Sequence, residues 1–284
     1  MDIGIGLPNS VIGTRGPELV DWAREAEGAG FSSLGTIDRI AYPSHEPLVS
    51  LAAAAAVTER IGLLTSILLA PLRINTALFA KQSSTVNAIS GGRLTLGLAV
   101  GGREDDFEAS GVDFSTRGRA FDRQLEELHE LWNGKEVGIG GPVTPDGAPT
   151  VILGGSVKAS FRRAARYGAG WIMGRGPPDA FEKALPQLES AWSEAGRDGS
   201  PRKLALGYYS LGPNAEELAQ RSIGGYYGFL GEEGAKQVAG SAARSAEQVK
   251  GVVAAFEASG CDEYIFFPSD GDPEQVRLLR EALD

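Results

Sequence analysis

Residues 61–100 read IGLLTSILLA PLRINTALFA KQSSTVNAIS GGRLTLGLAV. Ile61–Ala70 is an apolar run of strand length, Asn75–Ile89 has helical periodicity, and Arg93–Val100 is a second apolar run. Strand, helix and strand in that order predict two parallel strands joined by a helical crossover. The alternation continues in both directions. Strands are expected over Asp2–Leu7, Phe31–Ile37, Thr150–Leu153, Trp171–Gly174, Lys203–Leu211 and Glu263–Pro268. Helices are expected over Gly16–Ala29, Glu46–Thr58, Thr116–Trp132, Val157–Tyr167, Asp179–Ala195 and Pro273–Leu283. A glycine-interrupted helical stretch runs from Asn214 and ends in Ala246–Ala258, and Gly138–Pro149 reads as a loop. Eight strands, each followed by a helix, predict an α/β fold of the parallel (β/α)8 TIM-barrel type, one domain over residues 1–284.

Glycine supports that phase. Gly30, Gly62, Gly92, Gly170 and Gly260 each precede a strand, where a left-handed residue ends the previous helix. An open doubly wound sheet would carry a glycine fingerprint after its first strand, and Pro8-Asn9-Ser10 stands there instead.

Composition narrows the partners. The net charge of −10 disfavours nucleic acid and anionic membrane surfaces. The longest apolar run, around Leu51–Val57, is too short to span a bilayer. A single cysteine, Cys261, and an N-terminus without a basic-then-apolar leader point to the cytoplasm. The only histidines are His45 and His129, so no histidine metal site is expected. No lysine falls at a strand end, which removes a Schiff-base mechanism.

Barrels of this type build their sites from the loops that follow the strands. Those loops hold Asp38-Arg39 and Tyr42–His45, Pro71–Arg73, Gly101–Asp106, Gly154–Ser156 and Gly174–Gly176. Arg39, Arg73, Arg103 and Arg175 form a set suited to an anionic ligand, against the alternative that each pairs with a nearby carboxylate such as Glu104 or Asp179. Gly154-Gly155-Ser156 opens a helix and suits a phosphate, or else Ser156 is an ordinary N-cap. Gly101-Gly102 permits close approach of a flat ligand or simply makes a tight turn. Arg162, Arg163 and Arg166 read as a solvated face. Asp38 and Asp105 leave room for a cofactor-free carboxylate hydrolase. Side chains able to do demanding chemistry are otherwise few, which points to a cofactor.

These residues resemble the luciferase-like flavin-dependent oxidoreductases. The resemblance rests on Leu34–Asp38, Glu59–Arg73, Ala80-Lys81-Gln82, Ile89–Leu98, Gly101–Glu104, Gly154–Ser156 and Arg163–Trp171, and it covers most of Phe31–Gly174. It implies a cofactor at the strand C-terminal ends, FMN or the deazaflavin coenzyme F420, and monooxygenation or hydride transfer on a small-molecule substrate. It implies a cis non-prolyl bulge at Ser66-Ile67 under the ring. Around the cofactor it implies Asp38, Gly101, Gly102, Arg103, Gly154, Gly155, Ser156, Gly174 and Arg175, with Asp38, Arg39 and His45 as the candidates for catalysis. It also implies a homodimer through the helices flanking strands two and three, and a separate flavin reductase as a partner. Two positions depart from the pattern. Arg39 stands where many relatives have histidine, and guanidinium is no acid or base near neutrality. Val100 stands where the luciferases have a phosphate-contacting arginine. The Arg39 departure leaves a non-catalytic flavin-binding barrel as an alternative. The covering insertion is expected to be reduced.

Overall fold

The computed structural model describes residues 1–144 and 147–284. The loop expected over Gly138–Pro149 therefore includes two residues, Pro145 and Asp146, that lie outside the described residues. The chain forms β1 (Asp2–Gly6), α1 (Gly16–Gly28), β2 (Ser33–Thr36), α2 (Pro47–Ala55), β3 (Gly62–Thr65), β4 (Leu68–Leu69) and α3 (Thr76–Ile89). β5 (Leu94–Ala99), α4 (Glu104–Ala109), α5 (Arg117–Trp132), β6 (Thr150–Gly154), α6 (Lys158–Tyr167), β7 (Gly170–Met173) and α7 (Pro178–Glu194) follow. The last third holds β8 (Arg202–Tyr209), α8 (Ala215–Ala219), α9 (Gly231–Gly240), α10 (Ala246–Ala258), β9 (Glu263–Pro268) and α11 (Glu274–Leu283).

All strand pairs are parallel, and pairing of β3 with β5 closes the sheet into a barrel. β3 and β4 are two halves of the third barrel strand, so the barrel has its expected eight strands. The expected continuous strand Ile61–Ala70 is broken in the middle. Leu63 and Leu64 pair with Leu94 and Thr95, whereas Leu68 and Leu69 pair with Leu98 and Ala99. Four steps along one strand thus match three along the other, which is a β-bulge. The Ser66–Ile67 peptide inside it is cis. A short 3-10 turn, Ala70–Leu72, carries the chain out of the barrel.

Glycines make room for this arrangement. A Cβ on Gly97 of β5 would lie 2.0 Å from the Thr65 carbonyl oxygen, and the Thr65 hydroxyl donates to the Gly97 carbonyl at 2.8 Å. On the opposite wall, Gly6 and Gly35 leave the space filled by the Phe267 ring, 2.2 and 2.9 Å from where their Cβ atoms would be. Leu64, Ile152, Ile172, Leu204, Leu206, Tyr208, Ile265 and Phe267 belong to the interior cluster. A larger cluster between sheet and helices includes Trp22, Phe79, Phe121, Trp171, Phe181 and Phe256.

Three expectations change. Gly30, Gly92 and Gly260 are left-handed, as a helix stop requires, but Gly62 and Gly170 are not. Their lack of a side chain serves the neighbouring strand: a Cβ on Gly170 would lie 2.1 Å from the Arg202 carbonyl. Between β5 and α5 lie α4, which takes up the end of the expected strand-end stretch Gly101–Asp106, and a 3-10 turn, Phe114–Thr116. Arg163 is buried rather than solvated, with Nε donating to Asp122 Oδ1 at 2.6 Å.

The bulge predicts an asymmetry between two glycines. Gly97→Ala should cost about 2–3 kcal/mol through overpacking against backbone, and lower Tm by several degrees in a thermal melt. Gly102→Ala, whose Cβ would meet nothing within 4 Å, should leave Tm unchanged. Equal melting temperatures for wild type and Gly97→Ala would contradict the fit.

Candidate functional site at the barrel mouth

Asp38 lies two residues past the end of β2 and is buried. Its Oδ2 accepts from the Leu69 amide at 2.8 Å and from Arg73 Nη1 at 3.0 Å. One carboxylate thereby pins the far side of the bulge and the turn after it. Oδ1 is buried and makes no hydrogen bond. Burial raises the Asp38 pKa above the ordinary aspartate value, against the opposing pull of Arg73. The hydroxyls of Thr36 and Ser66, next along the same rim, are likewise buried without partners.

Arg39 is buried one residue further on. Its Nε donates to Asp106 Oδ2 at 2.7 Å and its Nη2 to Asp105 Oδ2 at 3.2 Å. Asp106 is itself fully buried, and its Oδ1 accepts the amides of Ile40 and Ala41 at 2.9 and 2.8 Å. The first turn of α4 thus staples the loop after β2. Arg103 pairs with Asp105, and that bond holds the Asp105 carboxyl below the ordinary aspartate range. Arg73 also reaches Glu46 at 3.1 Å.

Three of the four strand-end arginines are therefore matched to carboxylates. The partners are Asp38, Glu46, Asp105 and Asp106 rather than Glu104 or Asp179. Arg175 is exposed and has no carboxylate partner among the described residues. The carboxylates proposed for a hydrolase, Asp38 and Asp105, are each tied to a guanidinium.

The segment after α8 folds over this rim. Its guanidinium–ring contacts place Arg39 5.4 Å from the centroids of both Tyr42 and Tyr226, Arg103 4.0 Å from Phe229 and Arg175 5.0 Å from Tyr227. The Tyr227 hydroxyl meets that of Tyr208, inside the barrel, at 2.8 Å. Burial raises the pKa of Tyr208, Tyr226 and Tyr227, so all three stay protonated at neutral pH. The aromatic residues here are a cover packed on the interior cluster together with Ile67.

The glycine turns divide. Gly101 has φ +80° and its missing Cβ faces Phe107 and Leu69 at 3.2 and 3.3 Å. Gly102 and Gly174 are exposed with open space beside them. Gly154 makes room for Ile67, whose Cδ1 would be 2.7 Å from a Cβ there. Gly155 is left-handed and exposed, and its carbonyl accepts from the Trp171 indole at 2.7 Å. Ser156 is exposed and is not the cap of α6. Val157 stands at the cap position without a side-chain bond; the Ser160 amide turns back to the Val157 carbonyl, which leaves those of Lys158 and Ala159 for another acceptor. His45 is held elsewhere: its Nε2 lies 2.8 Å from the Thr14 carbonyl, and its own amide bonds Asn9. Among the described residues no cluster of metal-ligating side chains occurs, and no helix is long and apolar enough to cross a membrane.

The rim residues fit a flat cofactor with an anionic tail on two counts. Unbonded polar atoms of Thr36, Asp38 and Ser66 surround the bulge. An uncapped helix start follows Gly154, the last residue of β6, whose missing Cβ faces Ile67. Comparison with known proteins agrees with the barrel. A Mycobacterium tuberculosis protein, Rv0940c, is 32% identical over 209 residues, 62% of this chain and 71% of that one. An F420-dependent glucose-6-phosphate dehydrogenase of Microbacterium testaceum is 29% identical over 201 residues, 63% of this chain and 60% of that one. The crystal structure of monooxygenase RslO1 from Streptomyces bottropensis superposes with a TM-score of 0.78 at 23% identity, covering 100% of this chain and 98% of that one. The family model described as luciferase-like monooxygenase matches residues 1–278, and the chain belongs to that family.

Proposed function

We propose that this protein is a redox enzyme that binds FMN or the deazaflavin F420 at the barrel mouth and acts on a small organic molecule there. The observation that carries the reading is the bulge at Thr65–Ile67, pinned by Asp38 through the Leu69 amide. It puts a step in the wall of an otherwise regular barrel, flanked by the unbonded Ser66 hydroxyl and facing the glycine turn after β6. Bound there, the cofactor would supply the two-electron chemistry that the side chains lack. Ser66–Ile67 would support its ring, and Gly155 with the start of α6 would hold its phosphate.

The chain's own residues would shape the reaction. Arg39 is paired with Asp105 and Asp106 through Nη2 and Nε, while its buried Nη1 has no partner, so its contribution is charge and position. Asp38 is the rim carboxyl whose pKa is raised. The Tyr226–Phe229 segment would exclude water once the cofactor is seated beneath it. An exposed apolar face supports a homodimer. Val49 of α2 is 69% exposed, and Ile74 and Leu78, before and on α3, are 74% and 51% exposed.

Three outcomes follow. Titration of the purified protein with each coenzyme, read by ring absorbance and fluorescence, should show one binding in the micromolar range; failure of both would remove the reading. Asp106→Ala leaves Arg39 buried and short of a partner and should cost about 3–5 kcal/mol. Asp105→Ala, at a half-exposed partner, should cost under about 1 kcal/mol, so denaturant melts that rank the two alike would contradict the staple. Light scattering should find a dimer for the wild type and a monomer for the Val49→Glu, Leu78→Glu double variant; a monomeric wild type would end the dimer proposal.

A further inference from the structure

The helical layer opens between α7 and α10. α7 and α10 meet where Phe181 and Phe256 approach to 5.8 Å between ring centroids, and where the Ser259 hydroxyl donates to Glu182 at 2.8 Å. Towards the barrel mouth they diverge around a cavity of about 660 Å³. Its floor is β8, which parts from β7 after Ala205 and is next flanked by Ala243 at Tyr209. This volume falls within the usual range for small-molecule pockets, about 300–1,000 Å³.

The polar groups of the cavity are few and specific. Tyr264 is 5% exposed, and its hydroxyl crosses the face of β8 at Gly207, where a Cβ would lie 2.0 Å away. That hydroxyl makes no hydrogen bond among the described residues, although Tyr264 lines the cavity. The hydroxyl faces the cavity without a protein partner, so a ligand there would find a donor and acceptor. Arg175 stands at the rim and is the only charged side chain among the described lining residues. In a chain of net charge −10, a cavity lined by Val252, Phe256 and small residues, with no carboxylate and one guanidinium free of carboxylates, has a clear preference.

We propose that the cleft between α7 and α10 is a second ligand site, which takes a small organic anion with an apolar body. The charged end meets Arg175, the body lies along α10, and the Tyr264 hydroxyl bonds a polar atom of the ligand. The site lies between the helices and β8 and shares Arg175 with the barrel rim; it does not rest on the cofactor reading.

A matched pair of dyes tests it: 8-anilinonaphthalene-1-sulfonate and its uncharged counterpart N-phenyl-1-naphthylamine. The sulfonate should bind saturably, one per chain, and the neutral dye several-fold more weakly. Arg175→Met should weaken the sulfonate about tenfold while leaving the neutral dye unchanged. Gly251→Leu, on α10 where a Cβ meets nothing within 4 Å, should fill the cleft and abolish both without lowering Tm, since leucine suits a helix better than glycine. Absence of saturable binding to the wild type would overturn the proposal. So would binding that survives both Gly251→Leu and Arg175→Met unchanged.

Discussion

The Thr65 carbonyl lies against bare backbone at Gly97, and the geometry of the barrel mouth depends on that contact. With any side chain at position 97 the third barrel strand would have to stay in regular register with β5 or move away from it. Because it can press in, the strand gains one residue and turns out early, delivering the Leu69 amide to Asp38 and Arg73 to the same carboxylate. The rim of the mouth is thus set by a packing constraint deep in the sheet. The site inherits its shape from the scaffold, as functional constellations on rigid elements generally do.

A second layer of order is electrostatic. Asp106, Arg39, Asp105 and Arg103 form a chain of alternating charge that ties the loop after β2 to α4, and Tyr226 and Phe229 cover it from above. The fully buried Arg39–Asp106 pair costs desolvation and does not tolerate loss of one partner, whereas the half-exposed Asp105 pairs do. They fix the mouth in one arrangement, and they explain how an arginine set can sit in a binding region without offering its charges freely. Arg175, outside this chain of pairs, is the one strand-end guanidinium left without a carboxylate among the described residues.

Much of the fold was legible because periodicity of strand and helix is a local signal. The eight strand-helix units, the family motifs and the Ser66-Ile67 step all lie in short stretches. What the sequence did not reveal depends on distant partners. Asp106 is 67 residues from Arg39, and nothing in either loop announces the pair. Gly62, Gly154 and Gly170 read as helix stops or ligand turns, yet they make room for the Ser32 carbonyl before β2, Ile67 in the bulge and the Arg202 carbonyl of β8. His45 was within reach of the mouth by loop length alone, and the Thr14 carbonyl claims it. Arg163 sits in a run of arginines that reads as solvated, but α5 brings Asp122 to it. In each case a tertiary contact outweighs the local pattern.

A crystal structure of the protein soaked with whichever coenzyme it binds is the most direct measurement of the central claim. The account predicts the ring over Ser66–Ile67, beside Asp38, with the tail phosphate on the amides after Gly155. A coenzyme seated away from the bulge, with Ser66 and Asp38 untouched, would contradict it.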